Sequence, residues 1–200
     1  ELNKLYEESK TLHDLNFKVS VGTVVWNQCK DILVGKEDKT RPKTSKEIKE
    51  ANENNEEEPV DVKYNTRLIY SSDIKDNKLQ EPKTYKDKQK KSFIDKKGIN
   101  TTTLLVNRGY GVGSYNFQYC LLKDETYLVE NHLVCINYKD VEKNNNNNTG
   151  KIKETELIAK YNKIIKSLEN EKTKKFIKLY FGNNAINTTE LNHILPIYEM

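Results

Sequence analysis

A change in the spacing of apolar residues is the feature that most constrains the fold of this chain. Up to about residue 138 the apolar residues come in short runs rich in β-branched and aromatic side chains, which predict β-strands. Beyond residue 154 they recur three and four residues apart, as at Leu157, Tyr161, Ile164 and Leu168, which predicts an amphipathic helix over 154–170. Strands first and helices last predict an α+β fold: a mixed, largely antiparallel twisted sheet of about five to seven strands, then a C-terminal helical part.

Turn and capping residues mark the ends of these segments. Gly22 interrupts the strand predicted over residues 17–26 and indicates a bulge or bend there. Gly182 is expected to end a second, short helix. Asn187, with Glu190 three residues later, resembles a capping box that begins a third helix.

Composition divides the chain into a domain and its appendages. Residues 1–16 are expected to be a linker or exit helix, and residues 17–200 to form one domain. Residues 36–63 hold seven Lys or Arg against nine Asp or Glu and no aromatic residue, which predicts a solvated charged insertion, partly helical, whose deletion is nearly neutral for stability. Residues 143–150 contain an asparagine run and are expected to form a low-complexity loop.

Charge and cysteine usage narrow the class of protein. The net charge of +4 leaves +6 outside residues 36–63, which suits a polyanionic partner. Cys29, Cys120 and Cys135 are odd in number and lack metal-ligand spacing, so they predict reduced packing residues in a cytoplasmic protein. The sequence has no apolar run long enough for a membrane span, and no membrane partner is expected. Because the chain begins at Glu1, we expect it to be part of a longer protein.

The segment over residues 103–119, TLLVNRGYGVGSYNFQY, combines two predicted strands with a glycine-rich connection. Gly109, Gly111 and Gly113 allow a tight connection that brings Arg108 and Tyr110 to a surface. A cation beside an aromatic ring suits an anionic, planar ligand. A simple hairpin turn that happens to contain Arg108 is the alternative.

No recognisable catalytic centre is present in the sequence. The glycine pattern GxGxG fails as a dinucleotide fingerprint, because a strand rather than a helix is predicted after it. Glu130, Asn131 and His132 could form an acid, amide and base cluster, but a histidine that begins a buried strand is more often structural. The three histidines show no paired metal-ligand spacing, so no metal site is predicted.

Binding side chains at strand ends and turns remain as the candidate site. Arg and Lys pair with phosphates or guanine edges, Asn and Gln match adenine edges, and Ser or glycine N–H groups reach phosphate oxygens. Such a set is typical of a DNA-reading surface, although any loop-rich polar domain supplies similar residues. The candidate DNA-binding residues are Trp26, Asn27, Gln28, Lys30, Arg67, Tyr70, Ser71, Ser72, Asn107, Arg108, Gly109, Tyr110, Gly111, Asn131 and His132. We expect Arg108→Ala to weaken DNA binding and to leave the fold intact.

Several segments together resemble one protein family. They are VGTVVWNQCKD, TRLIYSSDI, LLVNRGYGVGSYNFQYCLL, YLVENHLVCI and FGNNAINTTELNHILPIY. These segments are similar to the C-terminal target recognition domain of adenine-N6 DNA methyltransferases from type II restriction-modification systems. The resemblance spans most of residues 17–138 and 154–198, and is most specific at the last segment.

The resemblance implies a division of labour with an upstream domain. An upstream methyltransferase domain would bind S-adenosylmethionine and methylate an adenine flipped out of double-stranded DNA. This chain would hold the duplex in register and would bind no cofactor itself. The catalytic Asn/Asp-Pro-Pro-Tyr/Phe tetrapeptide of that family is absent from this sequence.

Two other classes stay open. The chain could be the recognition domain of a restriction-modification specificity subunit or of a fused restriction-methylation enzyme. A long flanking coiled coil would favour the specificity subunit, and an upstream tetrapeptide would favour the methyltransferase. The mild net charge also allows a protein-interaction domain.

Overall fold

The computed structural model describes residues 1–7, 9–54, 59–107, 117–139, 152–182 and 186–198. The helices in these ranges are α1 Leu2–Tyr6, α2 Ser45–Asn54, α3 Glu154–Glu169, α4 Glu171–Tyr180 and α5 Thr188–His193. The strands in the same ranges are β1 Ser9–Lys10, β2 Phe17–Val21, β3 Leu33–Val34, β4 Thr40–Arg41, β5 Val60–Asp61, β6 Thr66–Ile69, β7 Ile74–Lys75, β8 Lys78–Leu79, β9 Phe93–Ile94, β10 Thr103–Asn107, β11 Tyr119–Leu122, β12 Tyr127–Val129, β13 Leu133–Tyr138 and β14 Ile197–Tyr198. Single 3-10 turns lie at Trp26–Gln28, Lys30–Ile32 and Ser71–Asp73.

The fold is α+β and its strand pairing is largely antiparallel, as predicted. The longer strands form two four-stranded sheets rather than one. The first sheet has the order β11-β10-β13-β2, and all its pairs are antiparallel. The second has the order β12-β6-β9-β3, in which β12 and β6 are parallel.

The first sheet lies between the helices and the second sheet. Leu104 and Val106 of β10 point into a core shared with α3 and α4, whereas Leu105 packs with residues of the second sheet such as Ile69. This alternation follows from the two-residue period of a strand. The outer face of the second sheet carries its own apolar cluster, which includes Leu68 and Tyr70.

The helical part confirms the patterns read from the sequence. Helix α3 ends one residue before the predicted limit, and the Asn170 side chain then accepts a hydrogen bond from the Lys172 N–H to begin α4. Gly182 has a φ of 59° just after α4, the left-handed conformation that a glycine adopts at low cost. The capping box of Asn187 and Glu190 is present at the start of α5.

The first sixteen residues pack on the domain. Helix α1 has 5 residues, and Leu5 and Leu12 are buried in the helical core. Strand β1 pairs with β14, with Ser9 opposite Tyr198. This segment, expected as a linker or exit helix, therefore contributes side chains to the core.

The charged insertion is better anchored than its composition predicts. It holds the paired strands β4 and β5 and the helix α2, and it buries Arg41 and Ala51. The Arg41 guanidinium lies 3.0 Å from the Asp95 carboxylate and 2.8 Å from that of Glu47. Because Asp95 lies outside the insertion, this buried ion pair ties the insertion to the domain, and a neutral deletion is no longer expected.

Two local expectations differ from the structure. The strand predicted over residues 17–26 ends at Val21, because the chain then leaves the first sheet at Gly22. Residues 80–91 contain no helix, and β7 and β8 pair just before them. Within the described ranges, no helix is both long and apolar enough to cross a membrane.

Candidate functional site

Two parallel strands of the second sheet end side by side and define the edge of the candidate site. Ile69 at the end of β6 is opposite Val129 at the end of β12. The Glu130 N–H donates to the Ile69 carbonyl at 3.0 Å. Because the carboxyl ends of parallel strands meet at one edge, the residues that follow β6 and β12 emerge together.

The chain that follows β2 joins this edge by crossing from the first sheet. The Val24 N–H donates to the Val129 carbonyl at 3.0 Å, and the Asn131 N–H donates to the Val24 carbonyl at 2.9 Å. Gly22 permits the crossing, since a Cβ built there would lie 2.2 Å from the Glu130 carbonyl oxygen. We call the place where β2, β6 and β12 end and β13 begins the strand-end edge.

The strand-end edge gathers three groups of predicted site residues, which lie far apart in the sequence. They are Trp26, Asn27, Gln28 and Lys30 after β2; Tyr70, Ser71 and Ser72 after β6; and Asn131 and His132 after β12.

Asn107 lies next to the same edge. It ends β10 opposite Leu133, the residue that follows His132. Its side-chain oxygen accepts a hydrogen bond from the Gln118 N–H at 3.0 Å. Arg108, Gly109, Tyr110 and Gly111 were predicted as site residues and lie outside the described residues.

Lysines and aromatic rings pack together at the strand-end edge. The Lys90 ammonium lies 5.0 Å from the Trp26 ring centroid and 5.2 Å from that of Tyr70. Lys30 lies 5.6 Å from the Trp26 ring. These are cation–π distances, so the rings hold both ammonium groups in place while Lys30 stays exposed to solvent.

Exposed polar side chains surround this cluster. Asn27, Gln28, Ser71, Ser72 and His132 are all exposed. Amide and hydroxyl groups in such positions can donate and accept hydrogen bonds with an incoming ligand.

Arg67 and Tyr70 were predicted to contact DNA and are instead buried. Arg67 is 8% exposed, and its guanidinium donates to the Ser92 carbonyl and lies 3.3 Å from the Asp73 carboxylate. Tyr70 is 1% exposed and its hydroxyl donates to the Lys91 carbonyl. Burial raises the pKa of Tyr70 well above its usual value. Both residues therefore support the site from beneath.

Residues 83–91, which we call the basic segment, were missed as site residues. The segment holds five lysines and one aspartate. It precedes β9, which runs antiparallel to β6, and this direction brings it to the strand-end edge. Its alternation of lysines around Tyr85 is the sequence signal that could have identified it.

Glu130 and His132 form a close pair at the edge. One Glu130 carboxylate oxygen lies 2.6 Å from the His132 Nδ1, and the other accepts the His132 N–H at 3.1 Å. Glu130 is 2% exposed, whereas the His132 side chain is 61% exposed. The buried carboxylate therefore fixes the exposed imidazole with its Nε2 available to a ligand.

The acid, amide and base reading of residues 130–132 gains no nucleophile from this geometry. In the described part of the chain, no group of three His, Cys, Asp or Glu side chains is arranged to hold a metal ion. The arrangement at the strand-end edge is that of a polar, basic binding surface.

No family model, curated protein or solved structure matches this chain.

Proposed function

We propose that this chain is a double-stranded DNA recognition domain and that the strand-end edge is its DNA-binding surface. The observation that carries the proposal is the basic segment, folded against the rings of Trp26 and Tyr70 beside exposed amide and hydroxyl side chains.

The chemistry of the surface divides into two parts. Lysine ammonium groups neutralise phosphates and bind duplexes of any sequence. Asn27 and Gln28 are exposed and carry the side-chain amides that match adenine edges. Phosphate contacts and base contacts are therefore available on one surface.

The assignment to adenine-N6 DNA methyltransferases rests on the resemblance of residues 17–138 and 154–198 to their target recognition domains. In that role the chain positions the target adenine for an upstream domain that binds S-adenosylmethionine. The exposed His132 would contact the same duplex, with Glu130 holding its ring.

Trp26 offers a direct test of the location of the surface, because it is the only tryptophan in the chain. Adding a 20-base-pair duplex at low salt should change the Trp26 fluorescence in parallel with binding measured by anisotropy of a labelled duplex. Binding without a change in Trp26 fluorescence would place the DNA elsewhere. An absence of binding at low salt would favour a protein-interaction domain.

Sequence recognition is tested by selection from a random duplex library. Enrichment of one short motif containing adenine supports a recognition domain, whereas binding without enrichment removes that role. Asn27→Ala and Gln28→Ala should relax the selected motif, with Asn52→Ala in the exposed part of α2 as the control.

A further inference from the structure

Asp73 is a fully buried carboxylate directly beneath the candidate surface. It is 0% exposed and ends the 3-10 turn that follows β6. Its oxygens accept hydrogen bonds from the Tyr85 hydroxyl, at 2.7 and 2.9 Å, and from the Tyr70 N–H, at 3.1 Å. A buried carboxylate needs such partners, because desolvation makes an unpaired charge costly.

Two cations complete the surroundings of Asp73. The guanidinium of Arg67 lies 3.3 Å from one carboxylate oxygen, and the ammonium of Lys83 lies 3.3 Å from the other. Lys83 also donates to the Ser72 carbonyl. Lys83 and Tyr85 both belong to the basic segment, so two of its side chains converge on one buried anion.

The basic segment is held at both of its ends. At the first, the Ser92 hydroxyl donates to the Lys83 carbonyl at 2.8 Å and accepts the Lys83 N–H at 3.1 Å. At the other, the Lys91 carbonyl accepts the Tyr70 hydroxyl at 3.1 Å. Asp73 lies between these attachments and bonds both to Tyr85 and to the backbone of Tyr70.

We propose that Asp73 is a positioning residue for DNA binding: its carboxylate fixes the basic segment against the strand-end edge and so sets the number of lysines that contact phosphates. The inference rests on the proposed DNA-binding function. It goes beyond that function by assigning the geometry of the lysines to a residue that contacts no DNA.

The sign of the effect makes this inference distinctive. Removing a negative charge near a DNA surface should strengthen binding if only the net charge matters. If Asp73 positions the basic segment, Asp73→Asn should weaken binding although the variant is more positive. Tyr85→Phe removes only the hydroxyl donor, leaves every charge in place, and should act in the same direction.

The test compares Asp73→Asn and Tyr85→Phe with Glu81→Gln, which neutralises an exposed carboxylate two residues before the basic segment. Hydrogen exchange without DNA reports whether residues 83–91 are held. The salt dependence of affinity for a 20-base-pair duplex, corrected for active fraction by stoichiometric titration, reports the number of phosphate contacts. That slope does not change when a variant merely unfolds in part.

We expect faster exchange confined to residues 83–91 in Asp73→Asn and Tyr85→Phe, a salt slope smaller by about one for each lysine displaced, and about tenfold weaker binding per lost contact at 0.1 M salt. Glu81→Gln should bind as tightly as the parent or more tightly. Unchanged exchange, or tighter binding by the folded Asp73→Asn or Tyr85→Phe variant, would overturn the inference. If the parent chain binds no DNA, the proposed function fails, while the exchange data still show whether Asp73 holds the segment.

Discussion

Arg67 contributes to this protein through a buried guanidinium. It lies between the Ser92 carbonyl and the Asp73 carboxylate and has an 8% exposed surface. Removing one partner of a buried ion pair leaves the other charge uncompensated.

Arg67→Met is therefore expected to lower the free energy of unfolding by about 3 kcal/mol. Urea denaturation followed by circular dichroism measures the loss. Lys30→Met is the matched control, because Lys30 is an exposed cation and its replacement should leave stability within about 0.5 kcal/mol. Equal stability of the two variants would show that Arg67 is not a structural cation.

Gly22 is the residue that lets β2 cross to the second sheet. In Gly22→Ala the new Cβ would meet the carbonyl oxygens of Glu130 and Val129 at 2.2 and 2.5 Å, so backbone must move. We expect a loss of about 3 kcal/mol by the overpacking rule. Gly182→Ala is the control: its φ is 59° but its Cβ would meet nothing within 4 Å, so the loss should be about 1 kcal/mol. A larger loss at Gly182 would contradict the close approach at Gly22.

At the scale of elements, the insertion that contains β4, α2 and β5 is joined to the domain by charged hydrogen bonds. Hydrogen bonding to the Arg41 guanidinium is the main cause that lowers the pKa of Glu47 from 4.5 to about 2. A carboxylate with a lowered pKa contributes stability above its unfolded value, and this contribution is lost as the pH falls through the folded value.

The stability of the parent protein should therefore fall between pH 4.5 and 2 by about 1–2 kcal/mol through Glu47, an amount reduced for its partial exposure. Glu47→Gln should remove that part of the pH dependence, as measured by urea midpoints at closely spaced pH values. Glu50→Gln, on the exposed side of α2, should retain it. Identical pH profiles for Glu47→Gln and the parent would show that the insertion is not held by this pair.

Local elements were predictable because local residues determine them. The spacing of Leu157, Tyr161, Ile164 and Leu168 predicted α3 to within one residue of its end, and Asn187 with Glu190 identified the start of α5. The division into two sheets was not predictable, since it depends on pairings such as Arg67 with Tyr127, sixty residues apart in the sequence. No local pattern specifies a partner at that distance.

At the scale of the whole molecule, strand ends predicted where the candidate site lies but not which side chains face outward. All four residues of β6 are buried, so alternation gave no sign that Arg67 points inward. The basic segment has no regular structure, and only the direction of β9 brings it to the strand-end edge. Burial and long-range pairing thus determine the part of the site that sequence patterns missed.

The central claim is that the basic segment, and not the equally lysine-rich helical surface, binds DNA. The most direct measurement compares the salt dependence of duplex affinity for two variants that each lose three lysines. One replaces Lys86, Lys88 and Lys90 with glutamine, and the other replaces the exposed Lys163, Lys166 and Lys178 of α3 and α4. Both lower the net charge equally. We predict that the first variant lowers the slope of log affinity against log salt by about 2–3 and that the second leaves it unchanged. Equal slopes for the two variants, or a larger loss in the helical variant, would contradict the claim.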